Sequence, residues 1–378
     1  MVIVAVLIAF LAIGSVNFYV AKKVHKGLSY FFVNLKFWLV CSCFFVSTVI
    51  FVLGFLRNSL PFPTAVKDIL AILSYCWMGI FLYLLLYTII SDIIILLCRL
   101  FKFSFSKKPI TRAVAVLAVF VLTVITSGYG FYNARQIDRI EYDIKLESKT
   151  DISDIKMVMI SDIHLGTVGC EGRLESIVKE INSQKPDVVC IAGDLFDSSM
   201  DLLSDPEKAI ENLKKIESTY GVYACFGNHD AGDTFGQMSD FLEKANINIL
   251  NDQYTVIDER LILAGRLDKS AIGGRDIKRK ALSKIEGDND LPVVVMDHNP
   301  ANYSDYSSDV DLILSGHTHK GQIFPVNLVT DILYEVDYGY YRKDSKSPQI
   351  IVTSGIGYWG MPMRVGSDSE LVVINFKN

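Results

Sequence analysis

Two hydrophobic patterns divide this chain of 378 residues. Four stretches in its first third lack a polar stripe over about 20 residues, the length at which a helix crosses a bilayer. They are residues 1–21, 37–56, 69–91 and 113–131. The positive charges of the first stretch follow its apolar run instead of preceding it, so we interpret it as a retained helix and not as a signal peptide. The pattern predicts a transmembrane domain of four helices over residues 1–131.

From residue 132 onward, short apolar strands alternate with apolar residues at helical spacing. Helices are predicted around 174–181, 206–216 and 238–242. Strands are predicted over 142–146, 155–160, 188–192, 222–226, 247–250, 254–257, 261–264, 293–296, 312–314, 350–353 and 371–376. Such alternation predicts a layered α/β domain, and the later run of strands predicts a second sheet packed on the first. We therefore expect a connection with a first strand over 132–150 and an α/β domain over 151–378.

Composition and charge agree with this division. The mean hydropathy of +0.32 is too high for a wholly soluble protein. Residues 1–131 contain 11 lysines and arginines but only 2 acidic residues, whereas residues 132–378 contain 26 basic and 40 acidic residues. An acidic domain argues against a nucleic-acid partner, because phosphate backbones require a basic surface. We also predict no protein partner.

The basic residues of the first part predict its orientation. They concentrate in the loop between the first and second stretches and in the loop between the third and fourth. The positive-inside rule places both loops in the cytoplasm. We therefore expect a multi-pass protein of the cell membrane whose acidic domain lies on the extracytoplasmic side. Asp92, at the end of the third stretch, is interpreted as a solvated helix end, and we predict no structural disulfide.

Polar residues cluster where five of the predicted strands stop, which is where α/β domains form their sites. These segments are Ser161-Asp162-Ile163-His164, Gly193-Asp194-Leu195-Phe196-Asp197, Gly227-Asn228-His229-Asp230, Asp297-His298-Asn299-Pro300 and Gly316-His317-Thr318-His319. Five of the six histidines lie in them. Carboxylate, imidazole and amide donors without a thiolate favour manganese, iron or zinc in a catalytic site. The donors suffice for two divalent metal ions that share a carboxylate.

The motif order D-x-H, G-D-x-x-D, G-N-H-D, H and G-H-x-H resembles the calcineurin-like metallophosphoesterase superfamily over residues 156–376. Residues 316–324 and 355–364 resemble its bacterial branch with membrane-attached members, some of which are similar to phosphodiesterases acting on lipid or nucleotide-sugar pyrophosphates. The resemblance implies a β-sandwich flanked by helices, an α/β/β/α domain.

The resemblance also implies a role for each motif residue. One metal ion would be bound by Asp162, His164 and His319, and the second by Asn228, His298 and His317. Asp194 would bridge the two ions. His229 would face the substrate phosphate without binding metal, and Asp230 would orient it.

These features predict a membrane-tethered, dinuclear metal-dependent phosphoesterase. A hydroxide held between the metals would attack a phosphodiester, a pyrophosphate or a phosphomonoester. We favour a lipid-linked substrate, because only a short connection separates the fourth span from the domain. A catalytically silent sensor or scaffold is the alternative, and it is disfavoured because no motif residue is missing. A transporter would need buried polar residues in its spans, and the one charged residue found there is Asp92, at the end of the third stretch.

Several residues near the motifs have two interpretations each. Asp197 is expected to hold a loop or a ligand imidazole and not to bind metal directly. Asp297 is either a surface carboxylate or a supporting partner, Lys320 either faces solvent or touches a phosphate, and Arg364 either contacts an anionic substrate or forms a structural pair. A rim of aromatic residues beside the site is suggested by Tyr338, Tyr340, Tyr341, Tyr358 and Trp359.

Overall fold

The computed structural model describes residues 2–146, 150–274, 278–280 and 291–377, with only the backbone described at 2–11, 58 and 64. Residue 1, in the predicted first span, and residues 147–149, in the predicted connection, lie outside the described residues. The chain forms two compact units, Met1–Phe131 and Tyr132–Asn378.

The first unit is built from helices. They are α1 (Val2–Leu28), α2 (Phe37–Phe55), α3 (Thr64–Leu100) and α4 (Pro109–Asn133). Three helical segments are long and apolar enough to cross a membrane, namely Phe37–Phe55, Ala65–Leu100 and Pro109–Asn133. These correspond to the second, third and fourth predicted spans. The first predicted span is also helical, but part of its side chains lies outside the described residues. The described residues therefore contain three candidate spans, whereas the sequence predicted four.

The Asp92 carboxylate has a hydrogen bond and an ion pair within this unit. The hydroxyl of Tyr19 donates to its Oδ2 at 2.7 Å, and the Nζ of Lys23 lies 2.5 Å from the same oxygen. Both partners belong to α1, whereas Asp92 belongs to α3. The carboxylate therefore ties two helices together, which the interpretation as a solvated helix end did not include.

The second unit contains two six-stranded sheets, and the first of them includes the first strand of the unit. Its strands are β1 (Asp138–Lys145), β2 (Lys156–Ile160), β3 (Val188–Ala192), β4 (Val222–Cys225), β5 (Ile247–Ile249) and β12 (Glu370–Lys377), in the order β1-β12-β2-β3-β4-β5. Strands β2 to β5 are parallel. The connecting helices are α5 (Leu174–Ser183), α6 (Pro206–Leu213) and α7 (Phe235–Lys244). Helix α6 begins where its sequence predicts, because Asp205 caps the amide of Lys208 and Pro206 opens the first turn.

A second six-stranded sheet packs on the first. Its strands are β6 (Gln253–Ile257), β7 (Leu261–Gly265), β8 (Val293–Met296), β9 (Leu312–Ser315), β10 (Gly339–Tyr341) and β11 (Gln349–Val352), in the order β10-β11-β9-β8-β7-β6. Strands β7, β8, β9 and β11 are parallel. The short helix α8 (Asn327–Leu333) lies between β9 and β10 along the chain.

The two sheets enclose an apolar core. Met157 and Met159 from the first sheet meet Leu263, Val294 and Leu314 from the second, and all five side chains are buried. A separate apolar cluster joins the opposite face of the first sheet to helices α5, α6 and α7. This layering confirms the predicted fold class, a β-sandwich flanked by helices.

Candidate metal centre

Side chains from the ends of five strands come together in two clusters. The first cluster comprises Asp162 and His164, which follow β2, and His319, which follows β9. The Nε2 of His319 lies 3.4 Å from Oδ1 of Asp162 and 3.1 Å from Nε2 of His164. All three side chains are buried, so one carboxylate oxygen and two imidazole nitrogens converge away from bulk water.

The second cluster comprises Asp194, His298 and His317, from the ends of β3, β8 and β9. The Nε2 of His298 lies 3.0 Å from Oδ2 of Asp194. The Nδ1 of His317 lies 2.7 Å from the side-chain oxygen of Asn228, which follows β4. Asn228 therefore adds a neutral oxygen donor to this cluster.

Asp194 faces both clusters. Its Oδ2 lies 3.9 Å from Nε2 of His164 in the first cluster, as well as 3.0 Å from His298 in the second. Its Oδ1 accepts the backbone amide of His229 at 2.8 Å, which fixes the rotation of the carboxylate. A Cβ at Gly227 would collide with this Oδ1 atom, so the turn after β4 must carry glycine there.

The turns that present these side chains are strained. Five cluster residues have a left-handed backbone, with φ angles of 56°, 51°, 51°, 74° and 51° at Asp162, His164, Asp194, His317 and His319. Non-glycine residues held in such sparsely populated backbone regions cost of the order of 1–3 kcal/mol each. Strain of this kind concentrates at functional sites, where the surrounding fold maintains it.

Burial and proximity determine the charges in the clusters. Burial alone would raise the pKa of Asp162, but His319 and His298 hold it below its ordinary value. His298 and His164 likewise hold the pKa of Asp194 below its ordinary value against the effect of burial. Burial lowers the pKa of His164 and of His319, which favours their neutral forms. Ionised carboxylates and neutral imidazoles are the forms that bind metal ions.

The donor set fits divalent cations. The Nε2 of His298 is buried and lies between the two cluster carboxylates, 3.0 Å from Oδ2 of Asp194 and 4.0 Å from Oδ1 of Asp162. A cation between the two carboxylates would contact this nitrogen, and mixed nitrogen and oxygen donors favour manganese, iron or zinc over calcium.

His229 lies beside the clusters and is held by Asp197. Its Nδ1 is 3.0 Å from the hydroxyl of Ser198 and 3.3 Å from Oδ1 of Asp197. The other carboxylate oxygen of Asp197 accepts from the hydroxyl of Thr167 at 2.8 Å. Burial would lower the pKa of His229, but Asp197 and Asp194 raise it above its ordinary value. This arrangement favours the protonated imidazole.

The Asp230 carboxylate makes its hydrogen bonds to backbone amides. Its carboxylate accepts backbone amides from Phe196 at 2.8 Å, Gly227 at 2.9 Å and Leu195 at 3.2 Å. It therefore fastens the turn after β3 to the turn after β4, whereas Asp197 is the carboxylate in contact with the His229 ring. Burial and the charge of Asp194 raise the pKa of Asp230 to about 7.

Arg364 is a structural residue with its guanidinium fully buried. It donates to the carbonyls of Ser354 and Gly357, each at 2.7 Å. One of its terminal nitrogens also lies 3.3 Å from Nδ1 of His319. Of its two interpretations, the structural one is favoured, because the side chain supports a cluster histidine from behind.

Asp297 and Lys320 also have structural partners. The Asp297 carboxylate is buried, is paired with Arg279 at 2.7 Å and accepts from the Tyr306 hydroxyl at 2.6 Å. It is therefore not a surface carboxylate. The Nζ of Lys320 lies 3.9 Å from the centre of the Tyr338 ring.

The aromatic rim is largely absent. Tyr358 is buried and donates to the carbonyl of Val168, and Tyr338 donates to Glu370. Among the five aromatic residues named above, Trp359 packs near the described site, with its ring centre 5.8 Å from that of His229.

Two supporting residues were not predicted from the sequence. The hydroxyl of Tyr334 lies 3.0 Å from Nε2 of His317, and the hydroxyl of Ser161 donates to Oδ2 of Asp162 at 2.6 Å. Such partners orient metal ligands. Ser161 precedes a motif residue and could have been found from that position. Tyr334 lies 17 positions from its partner and carries no motif signal.

Comparisons with known proteins agree with this geometry. The family model for calcineurin-like phosphoesterases matches residues 155–321. An uncharacterized metallophosphoesterase of Campylobacter jejuni is 30% identical over 379 residues, covering 98% of this chain and 97% of that protein. A transmembrane protein with metallophosphoesterase domain from Danio rerio is 31% identical, covering 82% of this chain and 74% of that protein. An uncharacterized metallophosphoesterase of Aquifex aeolicus is 29% identical, covering 68% and 98%.

The fold and the two clusters define a metallophosphoesterase-like domain with groups that could hold metal ions. The chain belongs to the calcineurin-like phosphoesterase family.

Proposed function

We propose that this protein is a membrane-anchored phosphoesterase that uses two divalent metal ions. The observation that carries the proposal is the position of Asp194, whose one carboxylate faces a histidine of each cluster. A carboxylate shared between two metal sites is typical of enzymes that cleave phosphate esters. The ligands would be Asp162, His164 and His319 for one ion, Asn228, His298 and His317 for the other, and Asp194 for both.

The metals would supply Lewis acidity and a hydroxide nucleophile at neutral pH. The protein's own groups would perform the remaining steps. His229, protonated and held by Asp197, would stabilise charge on the phosphate or donate a proton to the departing oxygen. Asp230 would keep the two catalytic turns in register through its three amide bonds.

The substrate in this proposal is a phosphodiester or a pyrophosphate carried by a lipid. Support comes from the candidate membrane-crossing helices, since Asn133 ends the helix α4 and the strand β1 begins at Asp138. So short a connection keeps the catalytic domain near the bilayer. The basic loops of the first unit support an extracytoplasmic position for that domain. The relative in Danio rerio is also named as a transmembrane protein.

A catalytically silent sensor or scaffold is the competing function. It would be expected to have lost one of the groups that make hydrolysis work, and the cluster residues are all present with their side chains converging. The enzyme is therefore the function that the site supports best.

The test compares the full-length protein with Asp194→Asn in nanodiscs. Bound manganese, iron and zinc are counted by mass spectrometry, and hydrolysis is followed on a soluble nitrophenyl phosphodiester, a nucleotide diphosphate and a lipid phosphate. We expect two metals and turnover in the wild type, and loss of both in Asp194→Asn with the fold retained. Asp201→Asn, at an exposed position, is the matched control. Two metals and normal turnover in Asp194→Asn would refute the proposal.

A further inference from the structure

A ridge of apolar side chains stands exposed in the second unit. The apolar ridge comprises Phe324, Val326, Leu328, Val329, Ile332 and Leu333. Its last four members share one face of α8, because residues three and four positions apart lie side by side on a helix. Ile332 is 84% exposed and Leu333 is 71% exposed. Contiguous apolar surface of this kind marks a contact with another molecule or with a membrane.

The opposite face of α8 is polar and bonds to the following loop. The hydroxyl of Thr330 donates to Asp337 at 3.0 Å. Asp331, the charged residue of α8, also interacts with Asp337. The helix is therefore amphipathic, but its apolar face points away from its own domain, and no α8 residue is buried. An apolar helix face of this kind can be buried at the surface of a bilayer.

The apolar ridge is attached to the candidate metal centre at both ends. Before it, the chain passes from His319 through a short 3-10 helix, His319–Gly321. After it comes Tyr334, whose hydroxyl lies 3.0 Å from Nε2 of His317. Both histidines of the last motif therefore border the ridge.

The apolar ridge is also linked to the end of a candidate membrane-crossing helix. The side chain of Asn133, the last residue of α4, donates to the carbonyl of Ser367 at 3.0 Å and to Asp368 at 2.9 Å. Two residues earlier in the same loop, the carbonyl of Val365 accepts the amide of Phe324 at 2.7 Å. One short loop thus connects the end of α4 to the first residue of the ridge.

The end of α4 has the properties of a helix leaving a bilayer. Its 25 residues span roughly 37 Å at 1.5 Å per residue, somewhat more than a hydrocarbon core of about 30 Å. Tyr129 and Tyr132 in its last turn are exposed, as tyrosines are at membrane–water interfaces. The end of α4, and with it Asn133, is therefore expected at a membrane–water interface.

We propose that the apolar ridge inserts into the bilayer surface and holds the metal centre against the membrane, where it meets a phosphate group borne by a lipid. The substrate class rests on the proposed function, whereas the membrane contact does not. The bilayer is the occupant, and not a second copy or another protein, because the loop that bonds Phe324 of the ridge also bonds Asn133, the last residue of a candidate membrane-crossing helix.

Photocrosslinking tests the contact. Benzoylphenylalanine replaces Ile332 in the full-length protein, which is placed in nanodiscs of phosphatidylethanolamine and phosphatidylglycerol and irradiated. Val256, an apolar residue of β6 that is 46% exposed, is the matched control position. We expect at least ten times more lipid adduct, measured by mass spectrometry, at position 332 than at position 256. Leu333 provides a second labelling position should the first variant fold poorly.

Two results would overturn the membrane contact. One is an equal amount of lipid adduct at positions 332 and 256. The other is a protein–protein adduct at position 332 in place of lipid, which would assign the ridge to a second copy or to a partner. The readout needs no hydrolysis, so failure of the ridge leaves the phosphoesterase proposal standing. Conversely, lipid adducts in a protein without hydrolytic activity would refute the proposed phosphoesterase activity but not the proposed membrane contact.

Discussion

The Nδ1 of His229 lies 3.3 Å from Oδ1 of Asp197, and the same oxygen lies 4.0 Å from Nδ1 of His164. One carboxylate therefore faces both a proposed metal ligand and the proposed proton donor. The hydroxyl of Thr167 holds its other oxygen. Asp197 can hold the His229 imidazole only while this carboxylate stays ionised. Burial alone would raise its pKa, but His229 and His164 hold it below the ordinary value.

This relationship predicts the effect of removing the His229 ring. His229→Ala should retain both metals and lower kcat by about 10²–10⁴-fold, the usual contribution of one acid–base group. The loss should be smaller for a nitrophenyl ester, because a good leaving group needs less protonation. Metal content and kcat on nitrophenyl and alkyl phosphodiesters check the prediction. An equal loss on both esters would exclude His229 as the proton donor.

Asp197→Asn is the companion variant. It keeps the shape of the side chain but removes the charge that favours protonated His229, so kcat should fall on the same substrates. In the double variant with His229→Ala the two losses should not add, because both act through one ring.

Much of the fold could be predicted from hydrophobic patterns. Strands β3 and β8 begin and end at the predicted residues, 188–192 and 293–296, because a fully buried strand is a continuous apolar run bounded by turn residues. The five strand-end segments were found for a related reason. Polar ligand residues that directly follow an apolar strand are visible without any knowledge of tertiary structure.

The supporting contacts could not be predicted in the same way. Arg364 and Tyr334 reach cluster histidines from segments distant in sequence, and only the tertiary fold brings them together. Helix α8 was not predicted, because it has seven residues and its apolar face has no partner within the described chain.

Arg364 should contribute to stability and not to substrate binding. Arg364→Lys keeps the charge but cannot reach the same carbonyls, and the unsatisfied buried groups should lower the free energy of unfolding by about 2–5 kcal/mol. Thermal unfolding of the full-length protein measures the effect, and KM for a soluble substrate should stay constant in the molecules that remain folded. Arg342→Lys is the control, because Arg342 also donates to loop carbonyls but is only partly buried. Normal stability with a raised KM would instead make Arg364 a substrate contact.

The proposed orientation predicts which side of the membrane a protease must reach. After removal of any cell wall, protease added to intact cells should cleave the catalytic domain, because the proposed orientation, inferred from the basic loops, would put that domain outside. Immunoblotting with an antibody against the carboxyl-terminal strand follows the cleavage. A cytoplasmic marker protein should stay intact in the same sample. Cleavage that occurs only after lysis would reverse the orientation.

The apolar ridge predicts a separation between lipid and soluble substrates. Ile332→Glu places a charge where the ridge would enter the bilayer, so kcat/KM on a lipid phosphoester in nanodiscs should fall about tenfold or more, whereas kcat/KM on a soluble ester should stay within twofold. Because the side chain is exposed, the substitution removes little packing inside the domain. Val256→Glu makes the same change on β6 and should affect neither substrate. If Ile332→Glu lowers both activities equally, the ridge acts on the fold of the site and not on access to a lipid.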